Sequence, residues 1–514
     1  MTRQPEKQEK SWLAEKINVK KLKFYHGVIT REDVQLMMKD AFPGDYLLRA
    51  ALMKLEVVLR IFLCVKVGEC DIHHYVLEFK DEKFVVKQEF NEKEKDGGKT
   101  KVTVDSPPFK DYDEMIQYYR VHRLACGQRL NRSIHRPKWH IRSSEIHYDE
   151  TGKLGAGNFC FVYRGRLKRF GREDDIAIKV SKSTEKEDSA AIMEVRNALF
   201  AEAKIMIAYN HMNIIKLFGI CCDNPPFMVC MEFCAGGSVE SLLMKSGKDM
   251  EEFEKQTILI DACRGMRYLA EKKCIHRDLA SRNCLITADG LIKIADFGLS
   301  KILASNQTAV KEALKEAPLL WLAPECIQKE SEFSTKSDVW AFGVLIFEVY
   351  SNGQKPFSDE NETGAIIKAI RRANMPLLEK KTEVPKMDEM LAEIWTRKPE
   401  DRIDFQKVLE HLAEALVPAN MSNVKKMQLN KLPGVTRKKM PNTDTDREET
   451  ENNLELYRES SSDVKIKLDR KKTGKRRAKI RRRSSSPDVA ESARGKTKSM
   501  MPRSANKEQS SNDT

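Results

Sequence analysis

The sequence contains no run of about 20 apolar residues, the length that a helix needs to cross a bilayer. Its first ten residues, MTRQPEKQEK, contain no apolar core of the kind found in secretory signals. Residue 2 is Thr rather than Gly, which excludes N-myristoylation. We therefore expect no transmembrane segment and no signal peptide.

Cysteine is missing from residues 1–63 and 327–514, and no two cysteines form a C-x-x-C pair. All 12 cysteines lie between Cys64 and Cys326. In a chain without a signal peptide, this pattern predicts reduced thiols and a cytoplasmic location.

Residues 418–514 contain no Phe or Trp and only one Tyr, so we expect them to be disordered. They hold 25 Lys and Arg against 13 Asp and Glu, a surplus of 12, which leaves a surplus of 2 from the total of +14 for residues 1–417. A basic charge confined to a tail is no evidence for a nucleic-acid-binding fold, and we expect no specific nucleic acid as a partner. RNA or DNA affinity confined to the tail is the least supported alternative.

The most basic part of the tail is Arg470–Arg483, with 10 basic residues in 14, and three serines follow it. Such blocks often bind anionic partners. Three interpretations remain open: peripheral attachment to the anionic surface of the plasma membrane, recognition by a nuclear import receptor, or a solubilising tail.

The hydrophobic pattern predicts a multidomain α+β protein. Strand-like runs such as VVLRIFLCVKV (57–67) lie between helical signals in the first domain. The second domain has a β-rich lobe up to Phe233 and mostly helical patterns from Val239 to Leu416. The predicted parts are a flexible N-terminal arm (1–22), a small α+β domain (23–123), a polar linker (124–146), a two-lobed domain (147–417) and a disordered, basic, serine-rich tail (418–514).

A glycine-rich turn, Gly155–Gly157, lies between two predicted strands and allows backbone N–H groups to approach phosphates. Lys179 follows on a strand 22 residues after Gly157, and Glu202 lies in a helical pattern. Each feature is weak by itself, because glycine-rich hairpins and solvent-facing lysines are common. Cys160 also stands where a third glycine is usual.

The most specific feature of the sequence is the segment HRDLASRN (276–283), which is followed by Asp296-Phe297-Gly298. Asp278 and Asn283 on one loop can place a carboxylate at a hydroxyl group and a carboxamide oxygen at a metal. Asp296, 18 residues after Asp278, can complete a Mg²⁺ site together with phosphate oxygens. Chance occurrence of both motifs at this spacing is negligible.

This set resembles the protein-kinase signature, and the form HRDLASRN resembles that of tyrosine kinases. The resemblance implies a bilobal protein-kinase fold that uses ATP and Mg²⁺ and phosphorylates protein tyrosine. Its implied catalytic residues are Asp278 as the residue acting on the substrate hydroxyl, Lys179 with Glu202 on the phosphates, Asn283 and Asp296 on Mg²⁺, and Arg282 with Pro318 at the substrate tyrosine. Its implied ATP-pocket residues are Leu154, Gly155, Gly157, Val162, Ala177, Lys179, Met231, Glu232 and Cys234.

The first domain resembles a Src-homology-2 domain. Residues 24–27 (FYHG) are similar to its W-Y-H-G opening, and residues 44–49 (GDYLLR) to its G-D-F-L-V-R strand. The resemblance implies that Arg49 forms a bidentate pair with phosphotyrosine at the base of a pocket, beside Arg31 and His74.

The domain order resembles the Fes/Fer group of non-receptor tyrosine kinases. The long membrane-binding region that precedes these domains in the group has no counterpart here, so we expect no membrane-curvature role. Ala51 stands where the small domain usually has a phosphate-binding Ser, with Lys54 as a candidate substitute, and Leu320 stands where the substrate-docking loop usually has Lys. The activation segment has no tyrosine, and the candidates to face Arg277 instead are Ser300, Ser305, Thr308, Glu312 and Glu316.

Two hypotheses of different classes remain. The first is a non-receptor protein tyrosine kinase that is recruited to phosphotyrosine proteins by its first domain. The second is a phosphotyrosine-binding adaptor with an inactive or nearly inactive kinase fold, which Cys160 and Leu320 suggest. The first is favoured because the catalytic lysine, glutamate, asparagine and both aspartates are all present.

Overall fold

The computed structural model describes residues 19–53, 56–80, 83–93, 99–157, 160–182, 189–312, 318–378, 387–415 and 421–438. Residues 1–18 of the predicted flexible arm and the basic tail after residue 438 lie outside these ranges. The arm was predicted to reach residue 22, but Val19–Lys21 form a 3₁₀ turn and Val19 is buried, so that prediction was wrong for its last residues. No helix in the described ranges is both long and apolar enough to cross a membrane.

The first domain is a six-stranded sheet whose strands follow one another in chain order across the sheet. The first pair is parallel and the others are antiparallel. Apolar side chains such as Leu63 and Val65 of the third strand are fully buried. The elements are β1 (Tyr25–Val28), α1 (Arg31–Met37), β2 (Tyr46–Met53), β3 (Glu56–Lys66), β4 (Ile72–Lys80), β5 (Lys83–Lys93), β6 (Lys99–Asp105) and α2 (Tyr112–Val121).

Residues 124–136, predicted as part of a polar linker, pack on the first domain instead. Leu130 is buried, and its N–H donates to the carbonyl of Tyr119 at 2.9 Å. Arg132 forms an ion pair with Asp45 at 2.8 Å. Most of these contacts are backbone hydrogen bonds, which leave no apolar periodicity in the sequence, so the linker prediction was too long.

The second domain begins with a five-stranded antiparallel sheet and one long helix. Along β9, Ile176, Ile178 and Val180 are buried, which leaves Ala177 and Lys179 on the opposite face. The strand order is β10-β11-β9-β8-β7. The elements are β7 (Ile146–Ala156), β8 (Cys160–Arg169), β9 (Arg172–Ser181), α3 (Ser189–Met206), β10 (Leu217–Cys221) and β11 (Met228–Glu232).

The rest of the second domain is mainly helical, so a β-rich lobe precedes an α-rich lobe as predicted. Helix α6 is apolar almost all round and lies in the core of this lobe, with Trp340 and Phe342 fully buried. The helices are α4 (Val239–Ser246), α5 (Glu252–Glu271), α6 (Thr335–Tyr350), α7 (Thr363–Arg371), α8 (Met387–Ile394) and α9 (Phe405–Glu414). The short strands are β12 (Gly237–Ser238), β13 (Cys274–Ile275), β14 (Cys284–Ile286), β15 (Ile292–Ile294), β16 (Lys301–Ile302), β17 (Ala309–Lys311) and β18 (Glu332–Ser334).

Residues 421–438, which we call the C-terminal strap, fall within the predicted disordered tail. That prediction was wrong for this segment, since Leu429 and Val435 are buried against the helical lobe. Arg437 forms an ion pair with Asp261 of α5 at 2.7 Å, and both side chains are 2% exposed. The strap contains α10 (Met421–Lys426) and a 3₁₀ turn (Gln428–Lys431).

Candidate active site

The glycine-rich turn joins β7 to β8. Gly155 lies opposite Val162 in the strand pair, and the Gly157 N–H donates to the carbonyl of Cys160 at 2.8 Å. The side chain of Leu154, just before the turn, is about half exposed. The two residues at the tip, 158 and 159, lie outside the described residues.

The residues expected around adenine lie on neighbouring strands. Ala177 lies opposite Met231 in the β9–β11 pair, and Val162 lies opposite Lys179 in the β8–β9 pair. Partners in register point to the same face of a sheet, so these four side chains share one face. Glu232 and Cys234 follow at the end of β11, where the chain leaves the sheet for the helical lobe.

Lys179 is held by two carboxylates. Its ammonium donates to both oxygens of Glu202 at 3.0 and 2.7 Å, and it lies 3.6 Å from Oδ1 of Asp296. Glu202 is buried on α3, so the ion pair joins that helix to the sheet. Burial opposes the charged form of Lys179, but the two carboxylates outweigh it and raise the lysine pKa above its usual value.

Asp296 lies between the sheet and the helical lobe with a backbone φ of +62°. This is a conformation that non-glycine residues adopt mainly where surrounding contacts impose it. The Gly298 N–H donates to Asp296 Oδ1 at 3.3 Å. Burial raises the pKa of this carboxyl group, but Lys179 and the Gly298 N–H outweigh burial, so the net pKa is below its usual value.

The loop before β14 brings Asp278, Arg282 and Asn283 together. Arg282 forms an ion pair with Asp278 Oδ1. The amide nitrogen of Asn283 donates to Asp278 Oδ2 at 2.8 Å and to its backbone carbonyl at 2.7 Å. Because both bonds use the nitrogen, the carboxamide oxygen remains for a cation. Burial raises the pKa of Asp278, although Arg282 and His276 oppose that rise.

Two buried acids of α6 hold this loop, and neither was among the residues predicted from the sequence. Asp338 accepts the N–H groups of His276 and Arg277 at 2.8 and 2.9 Å. Glu348 accepts the N–H and hydroxyl of Ser281 at 3.0 and 2.7 Å. The sequence did contain a signal for these two acids. A charged residue inside an apolar helix needs a buried polar partner, and both lie in such a helix.

Phe297, the residue after Asp296, packs against the residues that follow helix α3. Its ring is fully buried, with centroid distances of 5.2 Å to His276 and 6.3 Å to Tyr209, which follows α3. This packing and the Lys179–Glu202 ion pair both connect α3 to the residues around Asp296.

The expected substrate side lies beside Asp278. The guanidinium of Arg282 stacks over the ring of Trp321 at 4.4 Å, and the Trp321 indole N–H donates to Glu348 at 3.3 Å. Pro318 directly precedes the 3₁₀ turn Leu319–Trp321. Farther along, Arg402 pairs with both oxygens of Glu325 at 2.8 and 3.1 Å.

In the first domain, three residues singled out from the sequence lie around one site, which we call the arginine pocket (Arg31, Arg49, Phe62, Cys64, His74). Arg49 is buried, stacks over Phe62 at 4.7 Å and donates to the carbonyl of Ile29 at 3.0 Å. Burial, with Arg49 and Arg31 nearby, lowers the pKa of His74 to about 4. The side chain of Lys54 lies outside the described residues.

The first domain also contacts α3 directly. Asp33 of α1 pairs with Arg196 at 2.7 Å and with Lys204 at 3.0 Å. Arg196 also donates to the carbonyl of Val28 at 3.1 Å. The helix that carries Glu202 is therefore held from the first domain as well, a contact that the sequence did not predict.

The family model for protein tyrosine and serine/threonine kinases matches residues 149–412. The chain is 30% identical over 393 residues to the tyrosine-protein kinase transforming protein Fps of avian sarcoma virus (strain PRCII), covering 76% of this chain and 67% of that protein. It is 29% identical over 405 residues to Fer-related kinase 1 of Caenorhabditis elegans, covering 77% and 94%. It is 28% identical over 395 residues to tyrosine-protein kinase Fer of Homo sapiens, covering 76% and 43%. With more than half of its length matched and the site geometry above, the chain belongs to the protein tyrosine and serine/threonine kinase family.

Proposed function

We propose that this protein is a non-receptor protein tyrosine kinase that transfers the γ-phosphate of ATP to protein tyrosine. The observation that carries the proposal is the contact between Lys179, Glu202 and Asp296, which closes only when the sheet, α3 and the loop after β15 are correctly arranged. Kinase catalysis depends mostly on positioning and on cations near the phosphates, so such prearrangement is what the reaction requires.

The residues present fit Mg-ATP. Bound Mg-ATP would supply the phosphoryl group and neutralise charge on its oxygens. Lys179 would bind the α- and β-phosphates, because Glu202 keeps its ammonium charged and oriented. The carboxylate of Asp296 and the carboxamide oxygen of Asn283 match the preference of Mg²⁺ for few protein oxygens plus phosphate oxygens.

Asp278 would accept the proton of the substrate tyrosine hydroxyl. Asn283 and Arg282 hold the two oxygens of its carboxylate in place. Stacking on Trp321 fixes Arg282, which supports a role for this arginine in seating the tyrosine. The relatives named as tyrosine-protein kinases support this acceptor.

The first domain would recruit the enzyme to phosphotyrosine proteins. Arg49 is buried, its Nε has no hydrogen-bond partner, and no carboxylate of the described residues pairs with it. A buried guanidinium without a counter-charge is well suited to a bidentate phosphate. Because the same domain contacts Arg196 of α3, we propose that it also supports the arrangement of Glu202.

The test is transfer of phosphate from Mg-ATP to a Glu/Tyr polymer by the full chain, comparing wild type with Asp278→Asn. Positioned acid–base groups contribute about 10²–10⁴-fold, so the variant should lose at least about 100-fold in kcat. Asp289→Asn, at an exposed aspartate of the β14–β15 turn, is the matched control and should keep the wild-type rate. Equal background rates in wild type and Asp278→Asn would contradict the proposed kinase activity and favour the adaptor hypothesis.

A further inference from the structure

The activation segment, Asp296–Glu325, contains no tyrosine, yet Arg277 precedes the catalytic Asp278. In kinases that are switched by phosphorylation, a phosphate in this segment pairs with arginine and orders the segment. In this chain, an anion other than phosphotyrosine must therefore pair with Arg277 if the activation segment is to be ordered in the same way.

Glu312 occupies that position. Arg277 is 3% exposed, and its Nη1 lies 3.1 Å from Glu312 Oε2. The same oxygen lies 3.4 Å from the ammonium of Lys301, so one carboxylate bridges two cations. The slight burial of Glu312 opposes its charged form, but Arg277 and Lys301 hold the glutamate pKa below its usual value. Glu316, the other acidic candidate, lies outside the described residues.

The backbone places Glu312 at this point. It directly follows β17, which pairs with β18, and its N–H donates to the carbonyl of Ser331 at 3.1 Å. Strand β18 leads into α6, whose Asp338 accepts the N–H of Arg277. Glu312 thus binds the side chain of Arg277, and Asp338 binds its backbone N–H.

The hydroxyl candidate nearest to the catalytic loop is already engaged. Ser300 is buried, and its hydroxyl donates to the carbonyl of His276 at 3.2 Å. A kinase could not reach that hydroxyl without opening the segment. Ser305 and Thr308 are exposed, and Glu312 already holds the two cations.

We propose that Glu312 is a positioning residue that permanently replaces an activation-segment phosphate, so that the enzyme works without phosphorylation of this segment. The inference rests on the proposed kinase function. A carboxylate carries less charge than a phosphate, which has about −1.5 to −2, but it needs no second enzyme to install it.

The test compares Glu312→Gln and Glu312→Asp with wild type, all treated first with a broad-specificity protein phosphatase. Wild type should keep its full rate on the Glu/Tyr polymer and show no lag. Glu312→Gln should lose at least about fivefold in kcat/KM for the polymer, the lower end of usual coupling between sites, while KM for Mg-ATP stays unchanged. Glu312→Asp, which keeps the charge, should recover part of the loss. Glu330→Gln removes an exposed carboxylate that pairs with Lys311 and should behave as wild type.

Two outcomes would overturn the proposal: a wild-type rate in Glu312→Gln, or loss of wild-type activity after phosphatase treatment. Hydrogen exchange gives a readout that does not depend on turnover, since the amides of β17 and β18 should exchange faster in Glu312→Gln than in Glu330→Gln. If wild type transfers no more phosphate than Asp278→Asn, the proposed function is wrong, and the exchange rates alone decide whether Glu312 orders the segment. Equal exchange in that case would overturn this proposal too.

Discussion

Four largely buried cations of the second domain each face a carboxylate of the same domain, whereas no carboxylate of the described residues pairs with Arg49, a buried arginine of the first domain. The four pairs are Lys179–Glu202, Arg277–Glu312, Arg402–Glu325 and Arg437–Asp261. Each of these ion pairs joins two separate elements of the domain. Such pairs fix an arrangement that already exists.

Arg49 of the first domain is as deeply buried as these side chains, but its described partners are the carbonyl oxygen of Ile29, the ring of Phe62 and the thiol of Cys64. Burying a cation without a counter-charge costs free energy, which a fold can offset when an anion binds. The difference suggests that the four paired cations fix the arrangement of the second domain, whereas Arg49 is available to bind an anionic ligand.

The largest expected effect is a difference in the free energy of unfolding between a variant of Arg437 and a variant of Arg49. Arg437→Met leaves Asp261 buried and unpaired, and breaking such a pair typically costs about 3–5 kcal/mol in the free energy of unfolding. Arg49→Met removes a buried charge that no carboxylate of the described residues pairs with, and it should leave the unfolding free energy unchanged or higher. Urea unfolding of the full chain, with hydrogen exchange of α5 and β2 to assign the domain, measures both.

Lys438→Met is the matched control for the strap, because Lys438 is exposed and adjacent to Arg437. It should change the unfolding free energy by no more than about 0.5 kcal/mol. If Arg49→Met destabilised β2 as much as Arg437→Met destabilises α5, the proposed difference between paired and unpaired cations would be wrong.

A smaller effect concerns ligand binding by the arginine pocket. Arg49→Lys keeps the charge but loses the forked pair of donors, and a hydrogen bond to a charged group contributes about 1.5–3 kcal/mol. Affinity for a pool of phosphotyrosine peptides with random flanks should therefore fall about 10- to 100-fold, as measured by fluorescence polarisation. Arg60→Lys, an exposed arginine of β3 in the same sheet, should bind like wild type. Unchanged peptide binding by Arg49→Lys would show that the arginine pocket is not the phosphotyrosine site.

Much of the candidate active site could be predicted because its residues are close in sequence. Asp278 and Asn283 share one loop, and Asp296 follows across a single strand pair. Along β9, the alternation of apolar residues with Lys179 also predicts that the lysine points away from its packed neighbours. Short spacing and strand periodicity are the signals that a single sequence expresses most strongly.

The contacts that were missed join residues far apart in the chain. Asp33 and Arg196 are separated by 163 positions, and Asp261 and Arg437 by 176. A buried charge such as Asp261 indicates that a polar partner exists, but no spacing or periodicity shows which distant residue that partner is. The basic composition of the strap predicts a disordered tail, although a few buried side chains and one ion pair are enough to hold the strap on the helical lobe.

The last prediction concerns Asp33, a carboxylate of the first domain that pairs with two cations of the second. Burial raises its pKa, but Arg196 and Lys204 outweigh burial and lower the pKa from 3.8 to about 2. A carboxyl group with a lowered folded-state pKa adds stability above its unfolded pKa and loses it as pH falls through the folded one. At about 1.4 kcal/mol per pKa unit, about 2 kcal/mol should therefore vanish between about pH 4 and pH 2.

The measurement is the unfolding free energy of wild type minus that of Asp33→Asn, taken at several pH values from about 6 to about 2. This difference should be constant above about pH 4 and shrink by about 2 kcal/mol toward pH 2. Asp388→Asn, at an exposed aspartate outside the interdomain contact, should give a difference that does not follow this window. A difference for Asp33 that stays flat down to about pH 2 would mean that this ion pair adds nothing to the stability of the interdomain contact, and that α3 is held to the first domain by other contacts, such as the hydrogen bond from Arg196 to the carbonyl of Val28.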